Sequence, residues 1–260
     1  MNELLNLFDV AFVSLVLFVA FFFGLVLYIR REDHREGYPL EDDATGQLQP
    51  VGANISVPAP KRFKMAFDRG VRLSPDLGRQ ERELPLKRSS RLPGAPYDPV
   101  GDAMTAGVGP GSWAERPKEP ELDHAGHLKI VPMSVATDFS VVEGDPDPRG
   151  MSVIGADGAV AGTVKDVWID RPEALIRYLE VELRTEAGGP GKRALTPMTQ
   201  VVVNRGRNQV EVDAITAAQF VNVPTVSSPG QITMDEEERI AAYFGAGYLY
   251  ADKSRMEPIA

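Results

Sequence analysis

An uncharged apolar stretch near the beginning of the chain constrains the fold more than any other feature. Residues 10–29 carry no charged side chain, and only Ser14 and Gly24 interrupt their apolar character. At 1.5 Å per residue, a helix of about 20 residues matches the roughly 30 Å hydrocarbon core of a bilayer. The sequence therefore predicts one transmembrane helix over residues 10–30, with a short N-terminal segment, residues 1–9, before it.

The flanking charges give this helix an orientation. A cleaved signal peptide begins with basic residues, whereas Glu3 and Asp9 precede this stretch and Arg30, Arg31 and Arg35 follow it. The positive-inside rule then predicts a periplasmic N-terminus and a cytoplasmic C-terminal domain. The three arginines are expected to contact lipid headgroups, at about 1 kcal/mol per basic residue near an anionic surface.

Composition excludes several classes of function. The 260-residue chain has no cysteine, so it has no disulfides, thiolate zinc sites or cysteine nucleophiles. Its formal net charge of -9 argues against nucleic acid as a partner, because phosphate neutralisation needs a dense basic face. No Gly-rich phosphate loop, Gly-x-Ser-x-Gly or His-Glu-x-x-His motif occurs, so the chain is not expected to be an enzyme.

Residues 31–120 are rich in proline and glycine, which disfavours long helices and favours short strands and turns. A disordered linker is one interpretation of this segment. However, large apolar side chains such as Phe63, Phe67, Leu73 and Trp113 recur in it more often than a solvated linker requires. We therefore expect a membrane-surface segment that lies along a partner.

Residues 121–260 have the pattern of a mainly β domain. Short apolar runs recur between turn signals, and Asp157-Gly158 between two of them is typical of a hairpin. The predicted strands are 128–131, 139–142, 151–155, 159–170, 176–183, 193–198, 201–203 and 209–213. Strands of this length and spacing indicate a small closed barrel or a sandwich. A final helix is predicted over residues 235–244, with acidic residues in its first turn and Gly245 or Gly247 at its end.

Two polar clusters are candidates for chemistry. Asp123, His124 and His127 are close in sequence, and carboxylates and imidazoles can transfer protons near neutral pH. An ordinary surface loop is the alternative. Two imidazoles and one carboxylate are an incomplete zinc set, so no metal site is expected. The second cluster, Asp170 and Glu173, can equally be a strand-terminating turn.

Six motifs occur in order along the whole chain, at residues 35–41, 107–113, 120–123, 129–133, 166–170 and 178–183. Together they resemble the H subunit of the photosynthetic reaction centre of purple bacteria. The resemblance implies a PRC-type β-barrel that caps the L and M subunits on the cytoplasmic side of the photosynthetic membrane. It implies an accessory subunit that stabilises the complex and assists proton delivery to the secondary quinone. A membrane-anchored PRC-barrel adaptor for another complex is the alternative.

The resemblance also has implications for cofactors and partners. Bacteriochlorophylls, bacteriopheophytins, quinones and the non-haem iron would be held by L and M, and this chain alone would bind none of them. The wider complex of the family can include a cytochrome subunit and a light-harvesting antenna.

The resemblance assigns roles to particular residues. Asp123 and His127 match the surface positions at which protons are taken up in the family. His124 stands one position before the family's other histidine, and Ala125 occupies the expected place.

Four further residues receive roles in the same way. Asp170 and Glu173 would lie toward the secondary quinone, with Glu173 as an inner relay. Arg177 and Glu237 match a charged pair that contacts the M subunit. Each of them can otherwise be an exposed charge on an ordinary strand or helix.

Overall fold

The computed structural model describes residues 9–35, 42, 45, 47, 58–74, 76, 82–184 and 191–256. The predicted periplasmic N-terminus, except Asp9, and parts of the predicted 31–120 segment lie outside the described residues. The chain forms two compact units. One contains the described residues up to Arg82 together with Arg88–Pro96, and the other contains Glu83–Lys87 and the described residues from Tyr97 onward.

The apolar stretch forms helix α1, Val10–Asp33. Asp9 caps it by accepting a hydrogen bond of 2.7 Å from the backbone N–H of Phe12. The Ser14 hydroxyl donates to the Val10 carbonyl at 2.7 Å, so this polar side chain is satisfied within the helix. No α1 side chain is buried within the chain, and the helix is long and apolar enough to cross a membrane. The predicted apolar helix is confirmed.

Short strands follow α1, as the proline and glycine content predicts. Strands β1, Lys61–Lys64, and β2, Val71–Ser74, pair as an antiparallel hairpin. Strands β3, Leu86–Arg88, and β4, Tyr97–Pro99, form a second two-stranded sheet.

The main sheet has seven strands. Its members are β5 (Ile130–Pro132), β6 (Ser152–Ile154), β7 (Val160–Asp170), β8 (Leu175–Leu183), β9 (Arg193–Pro197), β10 (Val202–Asn204) and β11 (Gln209–Glu211). Their order is β10-β11-β6-β7-β8-β9, and β5 also pairs with β7. The β11–β6 pair is parallel and the other pairs are antiparallel. The predicted mainly β domain is therefore present.

The predicted hairpin joins β6 to β7. Gly158 has a φ of 72°, which a glycine adopts without a steric penalty, and Gly155 N–H donates to the Ala159 carbonyl across the turn at 2.9 Å. Register shifts within the β7–β8 pair, between Val164 and Asp166 and between Trp168 and Ile169, mark bulges that increase strand bending.

The core of this unit lies between the sheet and the segments around helix α2, Met234–Tyr250. Phe220 and Phe244 are fully buried, and their rings meet edge to face with centroids 6.1 Å apart. Trp168 is buried as well, and its Nε1 donates to Glu180 Oε2 at 2.9 Å, which supplies the partner that a buried indole needs.

Two predictions about elements are wrong. Residues 139–142 form an irregular segment between two turns instead of a strand: Phe139 N–H donates to the Ala136 carbonyl, and Asp145 N–H donates to the Val142 carbonyl. Helix α2 starts at a capping box of Thr233 and Glu236, but it does not end at Gly245 or Gly247.

Both glycines lie inside α2, at positions where backbone atoms from other parts of the chain leave no space for a side chain. A Cβ on Gly247 would lie 2.3 Å from the Ala214 carbonyl oxygen, and a Cβ on Gly245 would lie 2.7 Å from that of Pro110. These glycines therefore permit close packing of the helix rather than terminating it.

Candidate functional site

Asp123 organises the tight turn that contains the two histidines. Its Oδ1 accepts hydrogen bonds from the backbone N–H groups of Ala125 at 2.8 Å and His127 at 2.9 Å. Its Oδ2 lies 3.4 Å from His127 Nδ1. The backbone N–H of His127 and then that of Ala125 stabilise the carboxylate, and together with the His127 ring they lower the pKa of Asp123. Asp123 and His127 are thus brought together at the surface.

His124 is exposed on the same turn. Within the described part of the chain its imidazole makes no hydrogen bond or ion pair, unlike that of His127. The structure therefore separates the two histidines: one contacts Asp123 and the other faces solvent.

Lys129 connects this turn to the end of β7. Its Nζ lies 3.1 Å from Glu121 Oε2 and 3.7 Å from Asp170 Oδ2. Burial lowers the pKa of Lys129, but the hydrogen bond to Glu121 and the charges of Asp170 and Glu173 outweigh burial and raise it. Lys129 consequently remains a cation among three carboxylates.

Asp170 is the innermost carboxylate of the group. Its residue is fully buried, and Oδ1 accepts a hydrogen bond from the backbone N–H of Glu173 at 3.2 Å. No group in the described part of the chain donates a hydrogen bond to the buried Oδ2, so the nearby Lys129 ammonium is the charge that compensates it. The Glu173 side chain is exposed on this chain.

Arg177 and Glu237 lie at a surface cavity of about 450 Å³. Glu121 and Tyr178 also line it. The Tyr178 hydroxyl donates to Glu237 Oε2 at 2.9 Å. Burial raises the pKa of Glu237, and the hydrogen bond from Tyr178 offsets only part of this effect. Burial and the Glu237 charge raise the pKa of Tyr178. Both groups are therefore shifted toward their protonated forms.

Glu121 and Lys129 therefore connect three predicted residues, Asp170, Arg177 and Glu237, into one polar group. Asp123 and His127 lie on the turn between Glu121 and Lys129. Glu121 reaches Lys129 on one side and lines the cavity with Arg177 and Glu237 on the other. Among the described residues, no three histidine, aspartate or glutamate side chains converge as a metal site.

Sequence reasoning missed Glu121, Lys129 and Tyr178 as members of this group. The sequence does indicate the first two, because Glu121 and Lys129 stand on either side of the Asp123–His127 turn. In the structure, Lys129 N–H donates to the Glu121 carbonyl at 3.0 Å. A tight turn places such flanking residues opposite each other. The contact of Tyr178 with Glu237 joins β8 to α2 across 59 residues and has no local signature.

The predicted lipid-contacting arginines belong to the other unit. Arg30 and Arg31 are exposed in the last turn of α1. The Arg35 guanidinium binds protein groups instead: Nε lies 2.7 Å from Glu32 Oε2, and Nη1 donates to the carbonyls of Ala59 at 2.9 Å and Ser74 at 2.8 Å. Headgroup contact by the three arginines stays a prediction.

Comparison with protein families gives two matches that follow each other along the chain. Residues 141–219, which include β6 to β11, match the PRC-barrel domain. Residues 2–135, just over half of the 260, match the N-terminal region of the photosynthetic reaction centre H-chain. This second match includes α1, the β1–β2 hairpin and the Asp123–His127 turn. With its apolar helix, its mainly β domain and its C-terminal helix in the same order, the chain belongs to the H-chain family of photosynthetic reaction centres.

Proposed function

We propose that this chain caps the L and M subunits on the cytoplasmic side of a bacterial photosynthetic membrane and assists proton delivery to the secondary quinone. In this proposal it is a single-pass subunit with a periplasmic N-terminus. The pigments, quinones and non-haem iron belong to L and M, and this chain alone carries none of them. The family match over residues 2–135 favours this function over that of a PRC-barrel adaptor, for which a match to the barrel alone would suffice.

One observation carries the proton-delivery part of the proposal: titratable groups extend from the solvent to a fully buried carboxylate. Asp123 and His127 lie at the surface, Glu121 and Lys129 flank their turn, and Lys129 reaches the buried Asp170, one oxygen of which accepts no hydrogen bond from the described residues. Protons move between such groups when each lies within hydrogen-bond reach of the next or of a bridging water. Glu173, joined to Asp170 through its backbone, would deliver the proton to the partner subunits.

Replacing Glu173 tests this path. In Glu173→Gln we expect the proton-coupled transfer of the second electron to the secondary quinone to slow by about tenfold or more, because an amide cannot relay the proton. The first electron should be much less affected, since it does not require a proton on the quinone. Flash-induced decay of the semiquinone in the assembled complex measures both steps.

His127→Ala should slow the same step less than Glu173→Gln, because Asp123 and surface waters can replace an exposed imidazole. Glu143→Gln is the matched control, since it removes an exposed carboxylate outside this group. Second-electron transfer at the wild-type rate in Glu173→Gln would remove Glu173 from the path, while the capping function would be unaffected.

A further inference from the structure

The β1–β2 hairpin is a cationic and apolar surface in an acidic protein. Lys61, Arg62, Lys64, Arg69 and Arg72 against the single acid Asp68 give residues 61–72 a formal net charge of +4, whereas the whole chain carries -9. Four apolar side chains of the hairpin are about half exposed, namely Phe63 (51%), Phe67 (48%), Val71 (50%) and Leu73 (49%).

Both faces of the hairpin mix these two kinds of side chain. Because cross-strand partners lie on the same face, Phe63 shares one face with Arg72, and Lys64 shares the other with Val71. An isolated two-stranded hairpin that packs against nothing is only marginally stable in water. A surface that accepts positive charge and apolar area together would therefore stabilise this hairpin.

The basic side chains are available for such a surface. Among the described residues, no carboxylate forms an ion pair with Arg62, Lys64 or Arg72. At the tip, Phe67 has a φ of 55°, a left-handed conformation that is unfavourable for a bulky aromatic residue. The tip of the hairpin thus keeps a half-exposed aromatic ring in a strained turn.

Contacts at the base of the hairpin hold it to the end of α1. Arg35, just beyond the helix, donates to the carbonyl of Ala59, which precedes β1, and to that of Ser74, the last residue of β2. Lys61 Nζ lies 2.8 Å from Glu32 Oε2 in the last turn of α1. Since the positively flanked end of a transmembrane helix lies at the headgroup layer, the hairpin begins at that depth.

We propose that the β1–β2 hairpin binds the anionic headgroup layer beside α1, with its basic groups at the lipid phosphates and its apolar side chains in the interface. We choose an anionic lipid surface as the partner because clusters of about four to eight Lys and Arg residues beside the cytoplasmic end of a transmembrane helix are typical of anionic-lipid binding. Lipid binding combines electrostatic attraction with burial of aromatic and aliphatic side chains at the interface. This inference does not depend on the proton path.

The absence of cysteine permits a direct test with the full chain. A spin label at Ala66→Cys, an exposed position near the tip, reports whether the hairpin lies in lipid or in water. In vesicles of phosphatidylcholine with added phosphatidylglycerol, we expect the label to be accessible to oxygen and protected from a water-soluble relaxing agent. In phosphatidylcholine alone, and at high salt, this protection should be largely lost.

Charge removal gives the quantitative part of the test. Each basic residue contributes about fivefold to partitioning at an anionic surface, so Arg62→Gln/Lys64→Gln/Arg72→Gln should reduce the ratio of lipid-bound to free label on the order of a hundredfold. The control Lys118→Gln/Arg184→Gln/Arg207→Gln removes the same charge from exposed residues of the other unit and should leave the ratio unchanged.

Two results would overturn the proposal. Equal protection of the label in neutral and anionic vesicles would show that charge does not bring the hairpin to the membrane. Protection that arises only when L and M are present, whatever the lipid charge, would assign the hairpin to a protein contact.

Discussion

At the scale of single residues, the balance of charge around Asp170 explains how a carboxylate can lie at full burial. An uncompensated buried charge costs several kcal/mol, and one oxygen of Asp170 receives no hydrogen bond from the residues that the structure describes. The Lys129 ammonium lies 3.7 Å from that oxygen and supplies an opposite charge. Lys129 is thus as important to the polar group as the residues that would transfer protons.

This dependence predicts a specific pattern of stabilities. Lys129→Met should lower the free energy of unfolding by about 2–4 kcal/mol, because it leaves the Asp170 charge buried without compensation. Adding Asp170→Asn should recover part of that loss, since the buried charge is then absent as well. Denaturant titrations of the full chain in detergent, followed by the fluorescence of the buried Trp168, measure each variant.

Lys165→Met is the control, because Lys165 pairs with Glu182 at 3.2 Å where both side chains are partly exposed. Such a pair is worth about 0–1 kcal/mol. A loss in Lys129→Met no larger than in Lys165→Met would contradict the compensation of Asp170 by Lys129.

At the same scale, sequence reasoning located part of the polar group. Asp123 and His127 could be predicted to meet because they are four positions apart in a tight turn. The contacts of Lys129 with Asp170 and of Tyr178 with Glu237 join distant parts of the chain. They depend on strand pairing and helix packing, and local sequence patterns do not specify these.

At the scale of elements, Gly245 and Gly247 are expected to stabilise the packing of α2, although glycine within a helix normally lowers helix stability. Replacing a glycine within a helix by alanine normally stabilises it by about 1 kcal/mol. At Gly247, the added methyl group would lie 2.3 Å from the Ala214 carbonyl oxygen and 2.6 Å from Ile215 Cγ2. Steric overlap therefore outweighs helix propensity at this position.

We expect Gly247→Ala to destabilise the full chain by about 1–3 kcal/mol, as other overpacked cores do. Thermal unfolding in detergent, monitored by Trp168 fluorescence, should show a lower midpoint. Gly24→Ala in α1 is the matched control, since a Cβ added at Gly24 would meet nothing within 4 Å and no loss is expected. An unchanged midpoint in Gly247→Ala would mean that the helix can shift away from residues 214–215.

Most strands of the main sheet could be predicted from alternating apolar runs and turn signals, and β6 to β11 lie within one or two residues of the predicted ranges. The segment 139–142 could not, because an apolar run bounded by turns is also compatible with a loop that packs on the core. Phe139 and Val141 do so. The end of α2 could not be predicted either, since the same glycine serves as a helix stop or as a packing site depending on its tertiary neighbours.

At the scale of the whole molecule, the surface at Arg177 provides a test of assembly. Arg177 is exposed on this chain beside the cavity that contains Glu237. A charged side chain that becomes buried against an opposite charge in a complex is a strong contributor to affinity.

We therefore expect Arg177→Gln to weaken retention of this chain in the detergent-solubilised reaction centre by about five- to thirtyfold, the factor that corresponds to roughly 1–2 kcal/mol. Arg184→Gln is the control: it removes an exposed arginine that directly follows β8, and it should leave retention unchanged. In this measurement a labelled variant chain competes with unlabelled wild-type chain for the complex. Pigment absorption identifies the fractions that contain the complex, and the label retained in those fractions gives the ratio of variant to wild-type retention. Equal retention of both variants would exclude Arg177 from the interface.

The contacts of Arg35 also determine how α1 can move. A lone helix in a bilayer is free to rotate about its own axis, because lipid tails present the same environment on every side. Arg35 is fixed to Glu32 at the end of α1 and to carbonyls on both sides of the hairpin. The helix therefore cannot rotate about its axis without moving the hairpin. The position of the hairpin thus determines which face of α1 contacts neighbouring helices.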